Sequence, residues 1–316
     1  MSIKPPPEAA SLQQLQQTPI DDVLQIIDHG LVHLPSYREL YYRWERQQWQ
    51  ASEIDFTADI RQLSQMTEDE WDDVTTTMAT FFQGEASVTN ALAPFIVAMP
   101  DEEMRFYATT QLVDEARHTI FFDRFFKEVL DVDDERIEER LLLAQQFMKP
   151  PVRFILIDAL TDMARRLHHE PQNRALLVEG VTLYHVIIEG TMGVAGQRRL
   201  LEQFRRKNIF PAFRGGFTAV ARDESRHVLF GVKFLRDMLQ QDAAYAEVIR
   251  AAVEAYAPAA IDALGPDEEA IPAALVRGED PWTTQRYGQH SLAKKLKVIG
   301  LSMKLPDVPS SSTFSQ

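Results

Sequence analysis

The chain has 316 residues and a formal charge of −14, with 47 acidic against 33 basic side chains and no cysteine. That balance disfavours nucleic acid and anionic lipid as partners, and without cysteine there are no disulfides or thiolate ligands. No run of about eighteen apolar residues suggests a membrane span, and the N-terminus lacks the basic-then-apolar pattern of a signal peptide, so a cytoplasmic protein is expected. A hydrophobic content of 45% supports a sizeable core, and one domain over residues 19–304 is expected, between a flexible lead (1–18) and a flexible tail (305–316).

In chain order, the Pro- and Gln-rich lead gives way to helices from about residue 21 and over 37–50. Thr67-Glu68-Asp69-Glu70 reads as an N-cap with an acidic first turn, opening a long helix that stops before Pro100. Pro100-Asp101-Glu102-Glu103 starts the next, to about 129. Helices follow at 134–148 and 152–169, divided by Pro150-Pro151, which cannot continue a helix. Two more long helices, 172–206 and 213–239, precede shorter ones at 243–264 and 268–276. Period-2 alternation is missing, so an all-α bundle is predicted.

Two stretches are near copies: Asp114-Glu115-Ala116-Arg117-His118 and Asp223-Glu224-Ser225-Arg226-His227. Three residues on an α-helix span about 300°, so each Glu and His share a face and can grip one metal ion from one side. A dinuclear site wants one more inward Glu from each of two other helices. Glu85 stands thirty residues before Glu115, and Glu189 stands thirty-five before Glu224; both intervals suit a helix, a turn and a returning helix. Both sit in apolar surroundings, where a lone carboxylate would be costly to ionise. Four carboxylates converging in a core need cations to compensate them. Four Glu and two His in a four-helix core, with extra helices around it, are therefore read as a dinuclear metal site. Asp114 and Asp223 are candidate hydrogen-bond acceptors behind the His ligands.

Gly190, Gly193 and Gly196 interrupt the Glu189 helix at up to about 1 kcal/mol each relative to Ala. Gly193, Gly196 and Gly231 fall at four or seven residues beyond a ligand, on the metal-facing side. Either they allow close helix packing or they leave a cavity beside the metals for an elongated ligand.

From Trp49 to Phe234 these motifs resemble the ribonucleotide reductase small-subunit superfamily, within the ferritin-like di-metal carboxylate proteins. The resemblance implies one metal on Glu85, Glu115 and His118, a second on Glu189, Glu224 and His227, and a bridging carboxylate. Trp49 and Asp223 match the Trp–Asp pair that conducts electrons in the reductases. The radical Tyr, four residues after the first His, is replaced here by Phe122, and no Tyr follows Tyr287.

Gly84-Glu85-Ala86-Ser87-Val88-Thr89 is similar instead to the ligand-binding oxidases of this superfamily, which hold manganese and iron and a long-chain fatty acid. Their Val and Tyr, matched here by Val88 and Tyr184, join in an ether between the Val Cβ and the Tyr oxygen. The resemblance implies an O2-activating oxidoreductase with a Mn/Fe centre (Fe/Fe is the other option), a fatty-acid-like ligand beside Phe122 and the glycines, and a homodimer. The competing readings are a reductase small subunit lacking the usual radical, and a non-catalytic metal- or fatty-acid-binding protein. One geometric demand stands out. Tyr184, five residues before Glu189, lies about 140° away on a regular α-helix, so a π-bulge between the two is predicted.

Overall fold

The computed structural model describes residues 7–63, 67–132 and 136–309. Helices dominate, and no strand occurs among the described residues. In order they are α1 (Leu12–Leu15), α2 (Ile20–Val32), α3 (Tyr37–Arg46), α4 (Thr57–Leu63), α5 (Glu68–Ala98), α6 (Glu102–Glu128), α7 (Ile137–Gln145), α8 (Pro150–Arg153), α9 (Leu160–His169), α10 (Arg174–Val181), α11 (Val194–Lys207), α12 (Pro211–Gln241), α13 (Tyr245–Ala263), α14 (Ile271–Val276) and α15 (Thr283–Ile299). Two π-helical stretches complete continuous rods: Phe154–Ala159 joins α8 to α9, and Thr182–Gly193 joins α10 to α11.

Four rods form the core. α5 packs on α6, the α10–α11 rod packs on α12, and α12 also meets α6. α2 runs along α12, while α13 and α15 cover the π-helical stretch of the third rod. The segment Arg174–Lys207 is long and apolar enough to cross a membrane, but most of it is buried within the bundle. It is the core rod of a helical domain, and its π-helical middle, Thr182–Gly193, is largely apolar and buried because neighbours surround it.

Local chemistry sets the ends of these rods. Asp101 caps α6 by accepting from the Glu103 and Met104 amides, and Asn173 caps α10 through the Leu176 amide. Between α11 and α12 the chain reverses through Asn208 and Phe210, both left-handed (φ 53° and 47°), and Pro211 then fixes the first turn of α12. The free amides of Ala212 and Phe213 donate to the two carboxylate oxygens of buried Asp59 in α4, at 3.0 and 2.7 Å.

Some expectations differ from the observed chain. The helix expected over 37–50 stops at Arg46. Within the lead expected to be flexible, α1 has a Ser11–Gln14 capping box and a fully buried Leu15, because its apolar residues pack against α12. α4 and α15 went unread; Leu292, Leu296 and Ile299 of α15 are buried at helical spacing. α5 does open at Glu68, but the side chains of the acidic turn read there lie outside the described residues, as do positions 1–6 and 310–316 of the lead and tail.

Candidate metal centre

Each core rod delivers its ligands to one level of the bundle: Glu85 from α5, Glu115 and His118 from α6, Glu189 from the π-helical stretch, and Glu224 and His227 from α12. All six are buried. They form two overlapping groups, each with ligand atoms within 4.8 Å of one another: Glu85, Glu115, His118 and Glu224, and Glu115, Glu189, Glu224 and His227. His118 Nδ1 lies 3.3 Å from Glu85 and 3.2 Å from Glu224. His227 Nδ1 lies 3.2 Å from Glu115 and 3.1 Å from Glu189. The imidazole centroids are 6.3 Å apart. Glu115 and Glu224 belong to both groups, so both EXXH carboxylates are placed to bridge.

The electrostatics are those of a site built around positive charge. Burial pushes the Glu85 carboxyl up to about 8 and holds Glu189 well above the usual range, with the Glu224 charge adding to the effect. Burial works on Glu224 in the same direction, but His227 and His118 on either side pull it below the ordinary value. Burial would lower both imidazoles; the carboxylates around them win, and both are held high. Glu189 Oε2 is buried without a hydrogen-bond partner among the described residues, and Glu224 Oε2 has only the His227 Nδ1 contact at 3.3 Å. Such an orphaned acceptor is what a hard cation would take up, and a carboxylate and imidazole donor set suits iron or manganese.

The supporting layer is crossed. His118 Nε2 faces Asp223 at 3.3 Å and His227 Nε2 faces Asp114 at 3.1 Å, so the Asp of each motif supports the His of the other. Arg226 donates to both Asp114 and Asp223 at 2.8 Å, and Arg117 also pairs with both. These cations and His118 overcome burial and keep Asp223 ionised well below the usual range. Trp49 donates its indole N–H to Asp223 at 2.7 Å, and Trp44 makes the matching bond to Asp114 at 3.0 Å. The sequence reading had placed Asp114, Asp223 and Trp49 here but missed Arg117, Arg226 and Trp44. The Arg at the same place in both motifs was the available signal. The Arg117 guanidinium lies 5.0 Å over the Trp49 ring.

The sequence profile of the ribonucleotide reductase small chain matches residues 32–262. This chain is a member of that family. Similar solved structures include a point variant of an R2-like ligand-binding oxidase with anaerobically reconstituted Mn/Fe cofactor, at 21% identity and a TM-score of 0.73, covering 84% of this chain and 94% of that one. A second variant with an aerobically reconstituted Mn/Fe cofactor has 22% identity, a TM-score of 0.73 and the same coverage. A third, with a non-activated Mn/Mn cofactor, has 22% identity and a TM-score of 0.72, covering 84% and 93%. At this identity the likeness is one of fold.

As a small-chain family member, this protein departs from regular helix where its chemistry gathers. The π-helical stretch Thr182–Gly193 contains the bulge that the Tyr184–Glu189 spacing demanded. Thr191 Oγ1 donates to the Val186 carbonyl five residues back, at 2.7 Å, one of the polar contacts available in a widened turn. Tyr184 thereby turns inward, and its hydroxyl donates to Glu115 at 2.9 Å. Burial, with the Glu115 and Glu189 charges, keeps that phenol protonated far above its ordinary range.

A cavity of about 210 Å³ opens from the carboxylates, with Val88, Ile188, Met192, Gly193 and Gly196 among its walls. Two expected members are not on that wall. Phe122 is fully buried in an aromatic cluster, stacked 6.0 Å from Phe81, and it is Phe81 that lines the cavity. Gly231 faces inward but against His185: a Cβ there would meet the His185 Cβ at 2.1 Å, so its missing side chain serves close packing. Buried His185, kept neutral by burial, in turn lies 3.1 Å from the Gln111 amide.

Proposed function

We propose that this protein is an O2-activating dinuclear oxidase, holding manganese and iron (or two irons) on Glu85, Glu115, His118, Glu189, Glu224 and His227, beside a long-chain fatty acid or similar hydrophobic ligand. The observation that carries the reading is Tyr184. A π-helical turn is energetically poor, and here it brings a phenol to a ligand carboxylate at 2.9 Å, while Val88 lines the same cavity three residues beyond Glu85. When bound, the cations supply the activation of dioxygen.

The side chains do the rest. Glu115 accepts the Tyr184 proton as the Tyr oxygen bonds to the Val88 Cβ. That ether costs one hydrogen from each partner, two electrons and two protons in all, and dioxygen is the acceptor. Asp114 and Asp223 fix the imidazoles by their Nε2 atoms, leaving Nδ1 for the metals. The apolar wall excludes water from the reacting groups. Phe122 stands where the radical Tyr of the reductase subunits would be, so that radical cannot form at this position. This argues against the reductase-subunit reading, although family membership alone would accommodate it.

A homodimer is part of this proposal. Phe106, Val113 and Ile120 are seven residues apart on α6 and 58%, 48% and 47% exposed, an apolar seam of the kind that pairs with a second copy. Intact mass before and after aerobic loading with iron and manganese tests the oxidase. Loss of two hydrogens, abolished in Tyr184→Phe, supports it; an unchanged mass in the wild type overturns it and favours a binding protein without turnover.

A further inference from the structure

The two long walls of the cavity run outward side by side from the carboxylates. On α5 the wall passes from Glu85 through Phe81 and Thr80 to Thr77 and Thr76; on the facing rod it passes from Glu189 through Gly193 and Gly196 to Gln197. The walls touch where a Cβ on Gly196 would meet the Phe81 ring at 3.0 Å. Near the carboxylates the lining is apolar. Eight residues out along α5, about 12 Å at α-helical rise, it turns polar, with Thr76 and Thr77 on that wall and Gln197 on the facing one.

Gln197 is the unexplained member. It is 2% exposed, and its Oε1 has no hydrogen-bond partner among the described residues. A buried amide carbonyl left unpaired is unfavourable, and an ordinary saturated chain would leave it so. Thr80 gives its hydroxyl to its own helix, 3.2 Å from the Thr76 carbonyl, and does not answer it.

We propose that Gln197 selects a ligand carrying a hydroxyl part-way along its chain, so that the preferred occupant is a hydroxylated long-chain fatty acid and not a saturated one. This rests on the fatty-acid reading above, with the carboxylate at the metal end. An extended chain advances about 3.5 Å per three bonds, so 12 Å places the hydroxyl roughly ten bonds from the carboxylate. It donates to Gln197 Oε1 and can accept from Thr76 or Thr77.

The test uses metal-loaded protein and displacement of a fluorescent fatty-acid analogue by hexadecanoic acid, 2-hydroxyhexadecanoic acid and 10-hydroxyhexadecanoic acid. The 10-hydroxy acid is expected to bind about tenfold more tightly than the other two. Gln197→Leu removes that preference while hexadecanoic acid binds at least as well as before; Gln197→Met, closer in shape, gives the same result should the Leu variant fold poorly. Equal affinities for the three acids in the wild type overturn the inference, a structural water then being the partner of Gln197. So does a preference that survives both substitutions. If none of the acids displaces the analogue, the underlying fatty-acid reading falls as well, which separates the two failures.

Discussion

The two halves of the metal centre supply the same inventory, two Glu and one His each, on different backbones. The α5–α6 half is regular helix throughout. The other half sets Glu189 on a π-helical stretch beside α12, packed beneath α15. Regular helix suffices to aim ligands at i and i+3, so the first half needs nothing more. The second half must also aim Tyr184, which regular geometry would turn away, and it does so by widening the turn. Freed backbone groups then need partners: Ser291 of α15 donates to the Gly190 carbonyl at 2.9 Å, and the Lys295 amine binds Ser291 Oγ at 2.5 Å. Local distortion on one side is thus held by tertiary packing that the other side does without.

The largest effects should ignore the division between halves. Glu115→Gln or Glu224→Gln removes a residue shared by both ligand groups and should lose both cations, whereas Glu85→Gln or Glu189→Gln should lose chiefly one; metal content per chain decides. The supporting layer should cross over. Asp114→Asn is expected to weaken the cation on His227, and Asp223→Asn the cation on His118, by roughly 10- to 100-fold in affinity. Site-resolved iron spectroscopy that showed each Asn variant weakening the His of its own motif would contradict the crossed arrangement.

Backbone substitutions should separate the halves. In Gly190→Ala the new Cβ meets the His185 carbonyl at 2.7 Å and Lys295 Cε at 2.8 Å, so a loss of about 1–3 kcal/mol is expected. Gly84→Ala, in regular helix, meets only Leu156 Cδ1 at 3.4 Å and should be neutral or stabilising by up to about 1 kcal/mol. Chemical denaturation of the two variants measures the contrast directly. At the far end of the same half, Asp59→Ala removes the carboxylate that receives the first amides of α12 and should cost about 0.5–2 kcal/mol.

The smallest effect at neutral pH is a slope. Burial lowers the Lys295 ammonium to about 7, with only Asp28 and Lys294 as charged neighbours of note. Between about 7 and the ordinary lysine value of 10.5, the unfolded chain holds the extra proton, so folding stability rises with pH across that window. Lys295→Met should flatten the rise, read as melting temperature against pH; an unchanged profile would show the amine to be charged in the fold.

The convergence of the six candidate ligands and the all-helical class were readable from spacing along one or two helices; the π-bulge was readable only once the family resemblance had set Tyr184 at the site. The pairing of each Glu with its His follows from a period of 3.6, whereas the Tyr184–Glu189 interval calls for a wider turn only if both side chains face the site, as the resemblance implies. Facing was legible too, as Gly231 shows, but what covers a face was not: the neighbour is His185, brought there by bundle packing. Phe122 was likewise placed at the right depth and assigned the wrong neighbour.

What the tertiary structure alone decided are the contacts between distant parts of the chain. The exchange of Asp partners between motifs, the clamping across motifs by Arg117 and Arg226, the Asp59 cap on α12 and the α15 cover over the π-helical stretch join residues more than a hundred positions apart. Periodicity specifies which side of a helix is inward; how the helices are set against each other determines which side chains meet there, and that depends on the fit of the whole core.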